Sequence, residues 1–194
     1  IIFSHIQGQK IIKGLVTNMK KLNLSFDGIT DTTRYLFSFA KCLSAALKNS
    51  GYAEFSEDII AASGFAFRMW VAKESLCPSA MSIWEFDKQK PWVENGGLTC
   101  GYVGRYWNSD DIEKKQRLAA IEIIKKSVDE GVAAVAWDIS GCEWGLITGY
   151  DDGTQKLSTF KINGNEDEID YTRLGKLELP ILSVLTVTGK SGKP

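Results

Sequence analysis

At Gly131 the spacing of apolar residues changes, and that single change restricts the fold more than any other feature of the chain. Before it, apolar residues recur every three to four positions. After it, they alternate or run in short blocks between turn residues. Ser109, Asp110 and Asp111 open a helix whose face carries Ile112, Leu118, Ile121, Ile124 and Val128, and Gly131 ends it. Beyond Gly131, residues 132–139, 144–150 and 155–162 read as strands. Turns at Ser140–Gly141 and Asp151–Asp152–Gly153 join them into an antiparallel meander, and 182–188 reads as a last strand. Helices first and strands after is an α+β pattern, with the helices expected on one face of an antiparallel sheet.

Two more helices are expected upstream. In 31–49, Tyr35, Phe39, Leu43, Ala46 and Leu47 share one face, with Ser50–Gly51 as the stop. Its start is either Asp31 or Ser38 acting as N-cap. In 56–71, Ser56 is the cap, and Glu57 and Asp58 sit where the helix dipole favours carboxylates. Residues 1–30 give no clear element, and 73–94, with Pro78 and Pro91, read as irregular. There is no internal repeat or linker, and 194 residues suit one core, so 1–194 is expected to be a single domain.

Lys plus Arg number 23 and Asp plus Glu 24. One net negative charge gives no field to draw the chain to nucleic acid or an anionic membrane, so neither is expected as a partner. No apolar run reaches membrane-spanning length. The opening IIFSHIQGQK has neither a basic leader nor a small-residue cleavage site, which points to a cytoplasmic setting. It also lacks a Met, so a longer parent chain stays open. The four cysteines, Cys42, Cys77, Cys100 and Cys142, form no C-x-x-C pair, so reduced thiols are expected and structural zinc is not.

The chain has one histidine, His5, in a terminal segment. A serine or thiol nucleophile is weak without a base titrating near neutrality, and zinc hydrolase motifs need two imidazoles. Gly101-Tyr-Val-Gly104 and Gly141–Gly145 spell no phosphate loop and read as turns, so no cofactor is expected. Asp138 and Glu143 flank one turn, and Asp151 and Asp152 lie in the next, where acidic residues are usually solvated. Glu143 differs: it sits between Cys142 and Trp144 at the head of an apolar strand. Trp84, Trp92, Trp107, Trp137 and Trp144 fall near loops and strand ends, where they serve either core packing or a ligand cleft.

Two blocks carry a family resemblance. They are S-F-A-K-C-L-S-A-A-L-K-N-S-G, from Ser38 to Gly51, and E-W-G-L-I-T-G-Y-D-D, from Glu143 to Asp152. Over about residues 35–162 the chain resembles the papain-like peptidase family. That family includes the peptidase domains of bacteriocin exporters, which cut after double-glycine leaders, and their stand-alone relatives. A more distant echo is the N-terminal domain of the acyl-transferring protein of butirosin biosynthesis. The resemblance implies a papain-like fold, with N-terminal helices packed on an antiparallel sheet. It places Ser38 at the nucleophile position, where the family has Cys, and Glu143 where the family has its catalytic His. The oxyanion-hole Gln would fall near Thr32, and Asn163 is the nearest match to the orienting Asp. Cys42, one helical turn beyond Ser38, is the available thiol.

Two expectations follow. In the first, the vacated cleft binds a peptide or small molecule without catalysis, using Ser38, Glu143, Trp107, Trp137 and Trp144. In the second, Cys42 or Ser38 with Glu143 as base transfers acyl groups or hydrolyses amides. The second requires burial to raise the carboxylate's pKa.

Overall fold

A computed structural model describes residues 9–12, 15–28, 38–56 and 85–192, the side chains of 9–17 excepted. His5, Thr32, Tyr35, Cys77, Pro78 and Trp84, with nearly all of the helix expected at 56–71, lie outside the described residues.

Among the described residues, eight strands form one antiparallel sheet. In chain order they are β1 (Gln9–Ile12), β2 (Leu15–Lys21), β3 (Leu98–Arg105), β4 (Ala134–Ala136), β5 (Gly145–Asp151), β6 (Lys156–Phe160), β7 (Glu166–Asp170) and β8 (Leu182–Lys190). The helices are α1 (Ser38–Lys48), α2 (Gln89–Asn95) and α3 (Glu113–Asp129). No described helix is long and apolar enough to cross a membrane.

The expected meander is present as β4–β5–β6, and β7 extends it by one strand. β8 joins β4 to β3, giving the order β1-β2-β5-β4-β8-β3 along the main path. β5 is the hub. One of its edges pairs with β6, while the other serves β4 through Gly145–Ile147 and β2 through Gly149–Asp151.

The helices do not share one face, which corrects the expected layering. Side chains alternate across a strand, so Val135 points to one face and Ala134 and Ala136 to the other. Val135, Leu146, Leu185 and Val187 pack with Phe39, Leu43 and Leu47 of α1 and Trp92 and Val93 of α2. Ala134, Ala136, Ile147, Leu157 and Val184 pack with Ile121, Ile124 and Val128 of α3. The central strands are therefore covered on both sides, and residues 144–150 are buried without a break.

In α3 the buried stripe is Ala120, Ile121, Ile124, Ser127 and Val128. Leu118 was expected on it but is 48% exposed. Continued toward the N-terminus, the stripe passes through Arg117, whose Nε donates to Glu113 at 2.7 Å with the side chain largely buried. Gly131 closes the helix at φ +85°, with Val132 N donating to Ser127 O at 2.9 Å.

Several other elements differ from expectation. Residues 98–105, including the Gly101–Gly104 pair taken as turns, form a full strand. Gly104 makes room for the Tyr102 ring, since a Cβ there would sit 2.6 Å from the Tyr102 hydroxyl; the ring covers its own strand, and its hydroxyl meets Ser183 Oγ at 3.1 Å. Residues 89–95, expected to be irregular, form α2. Pro91 is in the first turn, where its missing N–H has no partner to lose. The strand expected over 132–139 shortens to Ala134–Ala136, because Asp138 turns into the left-handed region at φ +64°. β7 was not expected at all. It reads E-D-E-I-D, and only Ile169 reaches the core.

Ile124→Ala is expected to cost about 2–4 kcal/mol in urea unfolding. Leu118→Ala should stay within about 0.5 kcal/mol. Equal effects would mean that α3 presents a different face to the sheet.

Candidate functional site

The register of β3, β8, β4 and β5 brings Arg105, Leu182, Ala136 and Gly145 to one end of the sheet. The turn after β3, the loop 137–144 and the segment that precedes β8 therefore share that end. α1 lays its first residue against the same loop.

One carboxylate organises the loop. Asp138 was expected to be a solvated turn residue, but it is 1% exposed. Its Oδ1 accepts from Cys142 N at 2.9 Å, and its Oδ2 accepts from Glu178 N at 2.7 Å and Leu179 N at 2.8 Å. Charge-assisted bonds from backbone N–H groups make up for the water such a group loses. Gly141 and Cys142 follow with φ +66° and +57°, which reverses the chain into β5. Ser140 Oγ accepts from Ile162 N at 3.1 Å and ties the loop to the end of β6.

This path delivers Glu143 to α1. Ser38 Oγ donates to Glu143 Oε2 at 2.6 Å, and Ser38 has no exposed surface. Cys42 is one turn further along α1 and is fully buried. Burial pushes its thiol well above the ordinary value. The nearby Glu143 carboxylate adds to that rise, and the Lys41 ammonium opposes it. A protonated thiol in such surroundings is a poor nucleophile. Burial, then Glu94, pushes the Cys100 thiol up to about 12. Cys142 is the exposed free thiol among the described cysteines; burial, then Asp138, raises its pKa as well.

The tryptophans separate. Trp144 is fully buried, 5.0 Å from Phe39 and 4.9 Å from Phe86 between ring centres. Trp137 is 5.3 Å from Trp144 and 4.8 Å from Phe86. These rings meet edge-on or tilted, the arrangement their quadrupoles prefer. Trp107 instead lies on the turn after β3 and is 47% exposed. Asn163 is exposed and accepts from Asn165 N at 3.0 Å, closing its own turn.

Gln89 carried no signal in the sequence. It begins α2 and is 1% exposed, and both its amide atoms lack a hydrogen-bond partner among the described residues. The same is true of Trp144 Nε1. Phe86 opens the 3₁₀ turn that runs into α2, and residues three apart in such a turn lie one above the other. Gln89 therefore follows Phe86 on the same side of that turn. Buried polar groups left in this way call for a water or a ligand.

Asp138→Ala removes the acceptor from three buried backbone N–H groups, and a loss of about 3 kcal/mol or more is expected in denaturant melts. In the folded protein, iodoacetamide mapped by peptide mass should modify Cys142 well before Cys42 or Cys100. The reverse order would place Cys42 in an open cleft.

No protein-family model matches this chain, and no curated protein matches it.

Proposed function

We propose that the chain is a papain-like domain that binds rather than cuts, holding a peptide or small amide-bearing molecule where the start of α1 meets the loop 137–144. The reading rests on one observation: the hydroxyl at the nucleophile position is bonded to Glu143 at 2.6 Å, and the neighbouring thiol is held protonated by burial. A Ser–Glu pair of this kind fixes a helix against a loop, and a carboxylate is a weaker base toward a serine hydroxyl than an imidazole.

The class of ligand follows from the unmatched polar groups. Trp144 Nε1 and Gln89 Nε2 are donors, and Gln89 Oε1 is an acceptor. An amide is the chemical class that matches such groups, since its carbonyl accepts and its N–H donates. Trp137 and Trp144 form the aromatic floor of this site, and Trp107, at the same end of the sheet, is its exposed rim. The free, buried Cys42 and Cys100 suit the reduced conditions of a cytoplasm.

A second reading is acyl transfer or amide hydrolysis by Ser38 or Cys42 with Glu143 as base. The same short Ser38–Glu143 contact favours it, because a hydroxyl donating to a carboxylate is also the ground-state geometry of a nucleophile and its base.

The two readings separate in one experiment. The folded protein is treated with a fluorophosphonate and with iodoacetamide, then screened in thermal melts against N-acetyl amino-acid amides. A binding domain leaves Ser38 and Cys42 unmodified and melts higher with at least one amide, and Gln89→Leu abolishes that rise. Rapid stoichiometric modification of Ser38 or Cys42 that Glu143→Gln removes would assign acyl transfer instead. No rise with any amide would sink the binding reading.

A further inference from the structure

β3 is an outer strand. Among the described residues it pairs with β8 alone, so one side of its backbone meets no other strand. The pairing shows which groups lie on that side. Trp137 N donates to Ser183 O, so the backbone of Ser183 faces β4, and that of its neighbours Leu182 and Val184 faces β3. Val184 lies opposite Val103 and Leu182 opposite Arg105, so Val103 and Arg105 bond inward. By alternation, the N–H and C=O groups of Cys100, Tyr102 and Gly104 point away from the sheet. Cys100 N agrees with this, since it donates to Glu94 Oε1 of α2 at 3.1 Å. Glu94 thus closes the start of the edge. The outward groups of Tyr102 and Gly104 meet no backbone partner among the described residues.

An edge in this state is a template for another strand, and proteins commonly blunt such edges with charge. β3 has no charged residue from Leu98 to Gly104, and residues 101–104 keep part of their surface exposed. The outer strand β7 is the opposite case, with four carboxylates in five residues.

The strand that fits this edge is β3 of a second copy. Two copies run antiparallel about a two-fold axis at Val103, which sets Tyr102 of each opposite Gly104 of the other. That register uses the two residues whose outward groups are open, and each facing pair exchanges both of its hydrogen bonds. Cys100, already held by Glu94, falls outside it. On the α3 side, where Val103 borders the core, the two valines face each other as a non-hydrogen-bonded pair, the closer kind. On the other side the Tyr102 ring of each copy lies beside the bare Gly104 of its partner, and an aromatic ring across from a strand glycine covers backbone that has no side chain of its own.

We propose that the chain forms a two-fold dimer in which the β3 strands pair about Val103 and join the two sheets into one. The charge on β7 leaves that edge unsuited to the same pairing, so association closes at two copies. The dimer does not rest on the ligand reading of the Ser38–Glu143 junction.

The test combines sedimentation equilibrium with amide hydrogen exchange on the whole chain over a range of concentrations. The mass should double as concentration rises. The Tyr102 and Gly104 amides should exchange freely in dilute solution and slow about tenfold or more once the dimer dominates. The Val103 amide, bonded to β8, should stay protected at every concentration. Val103→Lys sets two ammonium groups together on the axis and should raise the dissociation constant about tenfold or more. If that variant does not fold, the exchange of the unaltered chain decides alone. A monomer mass up to about 1 mM, exchange at Tyr102 and Gly104 that ignores concentration, or a dimer untouched by Val103→Lys would overturn the proposal.

Discussion

The carboxylate of Asp138 is the interaction on which the rest of this end of the molecule depends. It is an anion with almost no exposed surface, and it is stable there because three backbone N–H groups point at it. Those donors come from two stretches far apart in sequence: the turn that follows Asp138 and the strand-free segment before β8. One side chain therefore sets the path of the loop and the seat of the last strand together. The position of Glu143 follows from it, because the left-handed residues Gly141 and Cys142 give the chain only one short route back into β5.

The hydrogen bond from Ser38 is best understood on that background. A pliant loop would let Glu143 reach for water, and a carboxylate in water gains little from one serine. Held by Asp138 on one side and by the start of β5 on the other, Glu143 meets α1 in a fixed place. Gly145 adds to this constraint: a Cβ there would lie 2.6 Å from the Phe160 carbonyl oxygen, so β5 can lie against β6 at this point only without a side chain. The aromatic cluster of Phe39, Phe86, Trp137 and Trp144 fills the space beneath.

Legibility in the sequence followed the strength of the local pattern. α1 and the inner half of α3 could be read because their apolar residues repeat at helical spacing. The meander could be read because Asp-Gly and Ser-Gly turns punctuate it. Leu118 was misplaced because the buried stripe continues through Arg117, whose charge hides its position from any hydrophobic count. β3 was missed because its glycines make room for side chains, Gly104 for Tyr102 and Gly101 for Thr186, and look like turns when that packing is unknown. The meeting of Ser38 and Glu143 was suggested only by a resemblance, since nothing local in either block points to the other. Gln89 was invisible, because a glutamine at the start of a short helix is ordinary until its surroundings are seen. The solvent-free position of Asp138 was equally hidden, since its partners are backbone groups and leave no trace in residue types.

β7 has a consequence of another kind. Among the described strands it pairs only with β6, so its outer N–H and C=O groups stand ready to accept a strand from a second molecule. Four of its five residues are carboxylates, and Lys21, Lys156 and Lys161 reach across to three of them. That crowding of ions makes the open side of the sheet hard to dock against, and it accounts for a segment so poor in strand-forming residues. What looks like a weak strand guards a concentrated solution of this protein against growing into fibres.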